Sequence, residues 1–367
     1  MSLFWTLSSW IVPLIVGTYL YILIRRLLSV FPPLANSKWR HILPVLPALS
    51  IGFWCSNLFS ERFMLLAHFL VVCLLTELLN LIFKRIRRLR YWNFLYRTSL
   101  FSLLVCGIYL IYGFANMQHV IDTTYTLQSD QMDTPVKLAF VSDVHMGTAV
   151  SLDKLQSYCD RIAAQNVDMV LLGGDIVDES TTPNELEGLA KAFGKIPCSQ
   201  GVYYIFGNHD SFFASFTRNA AIDGQDVRDV FAANNITILD DEAVTLDNGI
   251  RLIGRSDAAF YQDRKRKSLD DLLEDEDAFR FTILLDHQPL ELERAAQRGV
   301  DLMLSGHTHG GQIWPGGLIN RLAGTYELLY GSKTVGSMTA ITSSGMGGWS
   351  TRLRTGSHSE IVYVTIQ

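Results

Sequence analysis

The chain has 367 residues, of which 49% are hydrophobic and 18% charged, and its mean hydropathy is +0.19, a balance unlike that of a single water-soluble globule. Its formal charge of −5 joins two opposite regions: residues 1–116 hold 11 Lys and Arg against 2 Asp and Glu, a charge of +9, while the remainder holds 20 against 34, a charge of −14. A membrane region followed by a water-soluble one is the division these numbers imply.

Four stretches, 3–24, 42–59, 63–83 and 98–117, run without Lys, Arg or Asp for about the ~20 residues that a helix needs to cross ~30 Å of hydrocarbon. They predict an all-α membrane domain of four transmembrane helices over residues 1–117. The second stretch is the shortest, and Pro44 and Pro47 disturb its first turns. Residues 1–10 contain no Lys or Arg, so the first helix lacks the basic start of a cleavable signal and is expected to stay in the mature protein. Arg25, Arg26, Lys38 and Arg40 follow the first stretch, and Lys84, Arg85, Arg87, Arg88, Arg90 and Arg97 follow the third, whereas Glu61 and Arg62 are the only charged residues between the second and the third. Basic loops resist translocation, so both cationic loops are expected in the cytoplasm and both termini outside. The run from Lys84 to Arg90 is read as a topology determinant, and no nucleic acid binding is expected. Glu77 and His68 lie within the third stretch; an ion path, a polar interhelical contact and an interfacial position are all open to Glu77.

Residues 118–135 are polar without a strong period and read as a linker. Beyond it, short apolar runs at 136–142, 169–173, 202–206, 282–285 and 302–305 alternate with amphipathic stretches such as 152–165 and 183–193. That is the pattern of an α/β domain whose strands are buried on both faces. Runs at 236–240, 243–246, 251–254, 338–342 and 360–366 lack intervening helices and predict a second, mixed sheet. The five cysteines have no metal-ligand spacing and are read as packing residues, with a disulfide between Cys159 and Cys198 left open.

Polar residues able to hold metals follow the buried runs, where an α/β sheet places its ligand crevice. In order they are Asp143-Val-His145, Gly174-Asp175-Ile-Val-Asp178, Gly207-Asn208-His209-Asp210, Asp286-His287 and Gly306-His307-Thr-His309. Any one of them is an ordinary turn, but five in succession at strand ends form a constellation. With the extended Gly306-His-Thr-His-Gly-Gly-Gln312 motif and the Ser343-Ser-Gly-Met-Gly-Gly348 loop, the stretch 136–367 resembles the calcineurin-like metallophosphoesterase family, in particular its membrane-anchored, multi-pass members.

The resemblance implies a four-layer αββα sandwich with a dinuclear metal site at the strand ends. Residue by residue, it implies that Asp143, His145, Asp175 and His309 hold one metal and that Asp175, Asn208, His287 and His307 hold the other, Asp175 bridging. Imidazole with carboxylate suits Mn, Fe, Zn or Co without choosing among them. Two cations ~3.5–4 Å apart lower the pKa of a bridging water toward ~7, and the resulting hydroxide would attack phosphorus. His209 would protonate the leaving oxygen, and by the same resemblance Asp178 pairs with His209 and fixes its tautomer.

Other conspicuous residues receive plainer readings. Arg264 to Lys267 forms a solvated loop or touches anionic lipid or substrate phosphate; Trp314 and Trp349 pack, border the pocket or meet the membrane surface; Asp286 alters the surroundings of the second metal. Asn235-Ile-Thr237 fits a glycosylation sequon but starts a strand. The expected function is hydrolysis of a lipid-linked or membrane-proximal phosphate ester by a protein embedded in the lipid bilayer of the cell membrane, its catalytic domain extracytoplasmic. A general or nucleotide phosphodiesterase merely tethered to the membrane is the alternative within the class. Outside it stand a non-catalytic binding or sensor protein, and a transporter, for which Glu77 is the only support. Degenerate relatives lose ligands, whereas every ligand position here holds a competent residue.

Overall fold

The computed structural model describes residues 3–58, 60–210, 221–258, 266–274 and 281–367, with side chains from Trp10 onward. Two compact units emerge, residues 1–112 and 113–367.

The first unit contains helices α1 (Leu3–Leu28), α2 (Pro32–Ala35), α3 (Trp39–Ile42), α4 (Val45–Trp54), α5 (Glu61–Ile82), α6 (Arg90–Arg97) and the greater part of α7 (Leu100–Gln118). Among the described residues, three helical segments are long and apolar enough to cross a membrane: Trp10–Leu28, Glu61–Ile82 and Leu100–Gln118. The span expected over 42–59 takes a different form, since α4 has only 10 residues, about 15 Å of rise. Pro44, without an amide proton, separates α3 from α4. α4 runs antiparallel to α1: Gly17 faces Ala48, and Gly52 lies so close to Pro13 that a Cβ there would sit 2.6 Å from its carbonyl. Small residues permit that approach of backbones.

α5 starts at Ser60, whose side chain accepts the Phe63 amide. Near its other end, Glu77 accepts hydrogen bonds from Arg26 of α1 and from Tyr96 of α6, and Arg26 also donates to Ser99 at 3.0 Å. The polar interhelical contact expected for Glu77 is thus present. His68 Nδ1 lies 2.7 Å from the Met64 carbonyl of its own helix.

The second unit has two six-stranded sheets. The strands are β1 (Val120–Leu127), β2 (Val136–Val141), β3 (Met169–Leu172), β4 (Gly201–Tyr204), β5 (Ile236–Ile238), β6 (Glu242–Thr245), β7 (Ile250–Arg255), β8 (Phe281–Asp286), β9 (Leu302–Ser305), β10 (Gly331–Val335), β11 (Met338–Thr342) and β12 (Ser359–Ile366). The first sheet has the order β1-β12-β2-β3-β4-β5, the second β10-β11-β9-β8-β7-β6. Both are mixed, with parallel strands at their centres.

Alternation along the strands builds the layers. Leu138 and Phe140 of β2, Ile283 and Leu285 of β8, and Val362 and Val364 of β12 fill a core between the sheets. Ala139 and Val141 turn the other way, onto Leu155 and Ile162 of α8 (Leu152–Ala163), Leu186 and Phe193 of α9 (Pro183–Gly194), and Phe231 of α10 (Gly224–Ala233). Ile253, Leu284 and Met303 meet Leu269 of α11 (Leu269–Leu272) and Leu292 of α12 (Leu292–Gln297) on the far side. Truncating one such side chain, Leu138→Ala for example, costs ~2–5 kcal/mol.

The stretch 118–135 contains β1, which pairs in parallel with β12 along its whole length. Its alternate residues Tyr125 and Leu127 pack on the inter-sheet core, which explains its half-polar sequence. Cys159 and Cys198 are separate thiols.

Candidate metal centre

β2, β3, β4, β8 and β9 run parallel or share one polarity, so their C-terminal ends meet at one edge of the sandwich. The motif residues follow those ends. Asp143, His145, Asp175, His307 and His309 all have positive φ, between 46° and 67°, a region that non-glycine residues enter at a cost and that Asp, Asn and His enter most readily. Glycines make room around the carboxylates. A Cβ on Gly207 would lie 2.3 Å from Asp175 Oδ1, and one on Gly306 would lie 2.4 Å from Asp143 Oδ2.

Two groups of side chains gather there, Asp143 with His145 and His309, and Asp175 with His287 and His307; within each group the donor atoms lie within 4.8 Å of one another. Asp175 Oδ2 stands between them, 3.2 Å from His287 Nε2 and 3.8 Å from His145 Nε2. Asn208 Oδ1 joins the second group, 2.8 Å from His307 Nδ1. Further contacts hold the site: His287 Nδ1 lies 2.8 Å from the Gly173 carbonyl, and the His307 backbone amide donates to Asp143. The chemistry of this donor set fits metals, and so does one further observation. Nε2 of His145, Nε2 of His287 and Nδ1 of His309 are buried without a hydrogen-bond partner, a costly state that coordination relieves.

The electrostatics reflect crowding in a dry pocket. Burial pushes the Asp175 carboxyl up, but the neighbouring His287 and His209 rings outweigh it and hold it well below the ordinary range. Burial raises Asp143. His307 falls to about 3 and His309 falls well below its usual value, each chiefly through burial and then through neighbouring imidazoles, which leaves both rings neutral and able to ligate. Burial also opposes the charge on His209, yet Asp175 and Glu179 raise it to about 9.

One expected pairing is corrected. Asp178 does not pair with His209; its carboxylate lies 3.4 Å from His145 Nδ1, and the partner of His209 is Glu179, whose Oε1 is 3.0 Å from Nδ1. The turn decides this, because Asp178 Oδ1 accepts from both the amide and the hydroxyl of Ser180, which anchors its side chain toward His145. Two further residues belong to the site: Asp210, given no role from the sequence, and Trp349, for which bordering the pocket was one of the open readings. Asp210 accepts four backbone amides, from Asp175, Ile176, Val177 and Gly207, and so ties the β3 loop to the β4 loop; burial and Asp175 raise its carboxyl to about 6. Trp349 places its ring beside His209, with centroids 5.4 Å apart. Asp286, by contrast, faces away from the centre: it pairs with Arg255 at 3.3 Å and Arg266 at 3.1 Å, beside Glu291. Of the run Arg264 to Lys267, Arg264 and Lys265 lie outside the described residues.

Comparison with known proteins agrees with this geometry. The family described as "Calcineurin-like phosphoesterase" matches residues 136–311. The second unit carries a calcineurin-like metallophosphoesterase domain. Similar proteins include an uncharacterized metallophosphoesterase of Helicobacter pylori, 34% identical over 243 residues, covering 65% of this chain and 61% of that one. An uncharacterized metallophosphoesterase of Aquifex aeolicus is 28% identical over 249 residues, covering 66% of this chain and 90% of that one. A transmembrane protein with metallophosphoesterase domain from Bos taurus is 27% identical over 247 residues, covering 63% of this chain and 53% of that one. The match with the Helicobacter relative thus spans about three fifths of that protein's length. The metallophosphoesterase domain is what these proteins share, and the resemblance expected from the motifs is borne out.

Proposed function

We propose that the protein is a membrane-anchored phosphoesterase that hydrolyses phosphate esters at a centre for two divalent cations. The observation that carries this reading is the position of Asp175 Oδ2 between two clusters of buried donors, each complete enough to hold an ion. In the reading, Asp143, His145, Asp175 and His309 hold one cation, and Asp175, Asn208, His287 and His307 the other. Bound there, the pair supplies Lewis acidity toward phosphoryl oxygens and activates water.

The protein's own groups do the rest. His209 is buried beside the ligands, and its Nδ1 is engaged by Glu179, which leaves Nε2 to hand a proton to the departing oxygen. The His209 amide donates to Asp175 Oδ1 at 2.8 Å and holds that carboxylate in register. Trp349 backs the His209 ring, with centroids 5.4 Å apart.

A lipid-linked or membrane-proximal ester is the substrate class we propose, and four membrane crossings are part of the reading. Support comes from Arg26, Glu77 and Ser99, whose contact puts the C-terminal ends of α1 and α5 and the start of α7 on one side. The chain between α1 and α5 travels back along α1 through α4, and in this reading that return is a crossing broken at Pro44. In this reading the ten cations of the two loops mark the side where α7 begins as cytoplasmic, and α7 leads outward.

The test is hydrolysis of a paired chromogenic phosphomonoester and phosphodiester by the detergent-purified protein, with Mn²⁺ and with chelator, beside Asp175→Ala. Turnover that needs metal and vanishes in the variant is the expected result. A protein that binds no metal would overturn the reading.

A further inference from the structure

The chain leaves the histidine motif at Gln312 and returns at Tyr326, and both ends of that excursion are fastened to the candidate centre. The Thr308 hydroxyl donates to the Leu329 carbonyl at 2.7 Å, and the Tyr326 ring meets the His307 ring with centroids 5.8 Å apart. Between these anchors lie Trp314 and helix α13 (Gly316–Ala323). Trp314, Leu318, Ile319 and Leu322 are 42%, 54%, 57% and 80% exposed, and among the described residues of 118–367 no other large apolar side chain is exposed. Single exposed apolar residues are ordinary, whereas four confined to one short segment mark a contact surface.

The position of this segment identifies what covers it. β1 pairs in parallel with β12, Val120 opposite Ser359, and β12 pairs antiparallel with β2, Val362 opposite Phe140. β1 therefore starts at the edge where β2 ends and Asp143 follows. The last turn of α7, a helix able to span a membrane, enters the unit at that same edge. It binds the loop that also roots α13. The Asn116 side chain donates to the carbonyls of Arg354 and Ser357 at 3.0 and 2.7 Å, the Arg354 amide donates to the Gly113 carbonyl, and the Thr355 hydroxyl accepts the Trp314 amide at 3.1 Å. An apolar segment rooted beside the end of a membrane span meets the bilayer which that span crosses. Its composition suits the interfacial layer: a Trp with Leu and Ile for the acyl boundary, and Arg321 for the headgroups.

We propose that Trp314 and α13 dock into the interfacial layer of the lipid bilayer and hold the metal centre, to which both of their flanks are tied, at the lipid surface. The inference concerns docking and stands whether or not the hydrolase reading does.

The experiment uses the full-length protein in phosphatidylcholine nanodiscs, one chain per disc, with and without doxyl groups on the acyl chains. A nitrobenzoxadiazole label is placed at Leu322→Cys or Ile319→Cys, with Asp130→Cys as the control at the far end of β1, roughly 25 Å away along eight residues of strand. Wild type treated in parallel gives the background from its own cysteines. Labels at 319 and 322 are expected to lose emission to doxyl lipids while the label at 130 keeps its own. Equal quenching at all three positions, or none, overturns the proposal. Emission lost only when two labelled chains share a disc would assign the surface to a second copy, and that also overturns it.

Discussion

Glu179 Oε1 lies 3.0 Å from Nδ1 of His209, and the neighbouring Asp178 carboxylate lies 3.4 Å from Nδ1 of His145. Two adjacent acids thus serve two different histidines, one a candidate proton donor and the other a candidate ligand. Their substitutions should separate accordingly. Glu179→Gln removes the charge behind His209 and is expected to lower kcat by ~10–100-fold with metal content unchanged. Steady-state kinetics beside elemental analysis checks this, and a loss of metal would show that the assignment is mistaken.

Asp178→Asn should do the reverse. His145 loses the carboxylate that orients it, so metal affinity is expected to fall by ~10–100-fold. Turnover recovers at saturating Mn²⁺. Metal titration of the variant decides the matter, and an unchanged affinity with reduced kcat would return Asp178 to the His209 side.

Arg354 is fully buried and gives its guanidinium to the carbonyls of His309, Ser344, Gly347 and His358 and to the Ser357 hydroxyl. Burial lowers its pKa to about 10, so it remains charged at neutral pH. The His309 and His358 carbonyls keep the Ser357 and Ser344 hydroxyls as donors, whereas Arg354→Met leaves the Ser344 and Gly347 carbonyls unpaired at ~1–3 kcal/mol each, so a loss of ~2–6 kcal/mol is expected. A fall in the thermal midpoint of the detergent-solubilised protein tests this, with loss of metal following as the His309 loop relaxes.

Glu360 provides a pH dependence of stability. Burial raises its carboxyl, but hydrogen bonds from His358, Thr123 and Ser344 outweigh burial and hold it below the ordinary value of 4.5. A carboxylate whose folded pKa is depressed stabilises fully above the unfolded value, and that contribution disappears as pH falls through the folded one. Wild type is therefore expected to exceed Glu360→Gln in thermal midpoint above pH ~5, with the gap closing in acid. A gap that widened in acid would contradict the sign.

The centre was legible because its residues are local in sequence: each motif follows a buried apolar run, and strand ends in such sheets converge. What the sequence hid depended on the direction of side chains within a turn. Asp178 and Glu179 are neighbours of like charge, and only the Ser180 bonds decide which reaches His209. Asp210 stood in plain view, but four amide partners drawn from two loops leave no trace in spacing. β1 resembled a linker because one of its faces is solvated, and the apolar stretch 42–59 is broken at Pro44 by the rigidity that had marked it as irregular.

The five candidate ligands with left-handed backbone have a consequence for inheritance. Asp, Asn and His tolerate that conformation, whereas β-branched residues do not. Mutation at these positions can therefore exchange oxygen for imidazole at little conformational cost, but it cannot draw freely on the remaining amino acids. The path of the main chain restricts which coordination chemistries descendants of this protein can reach.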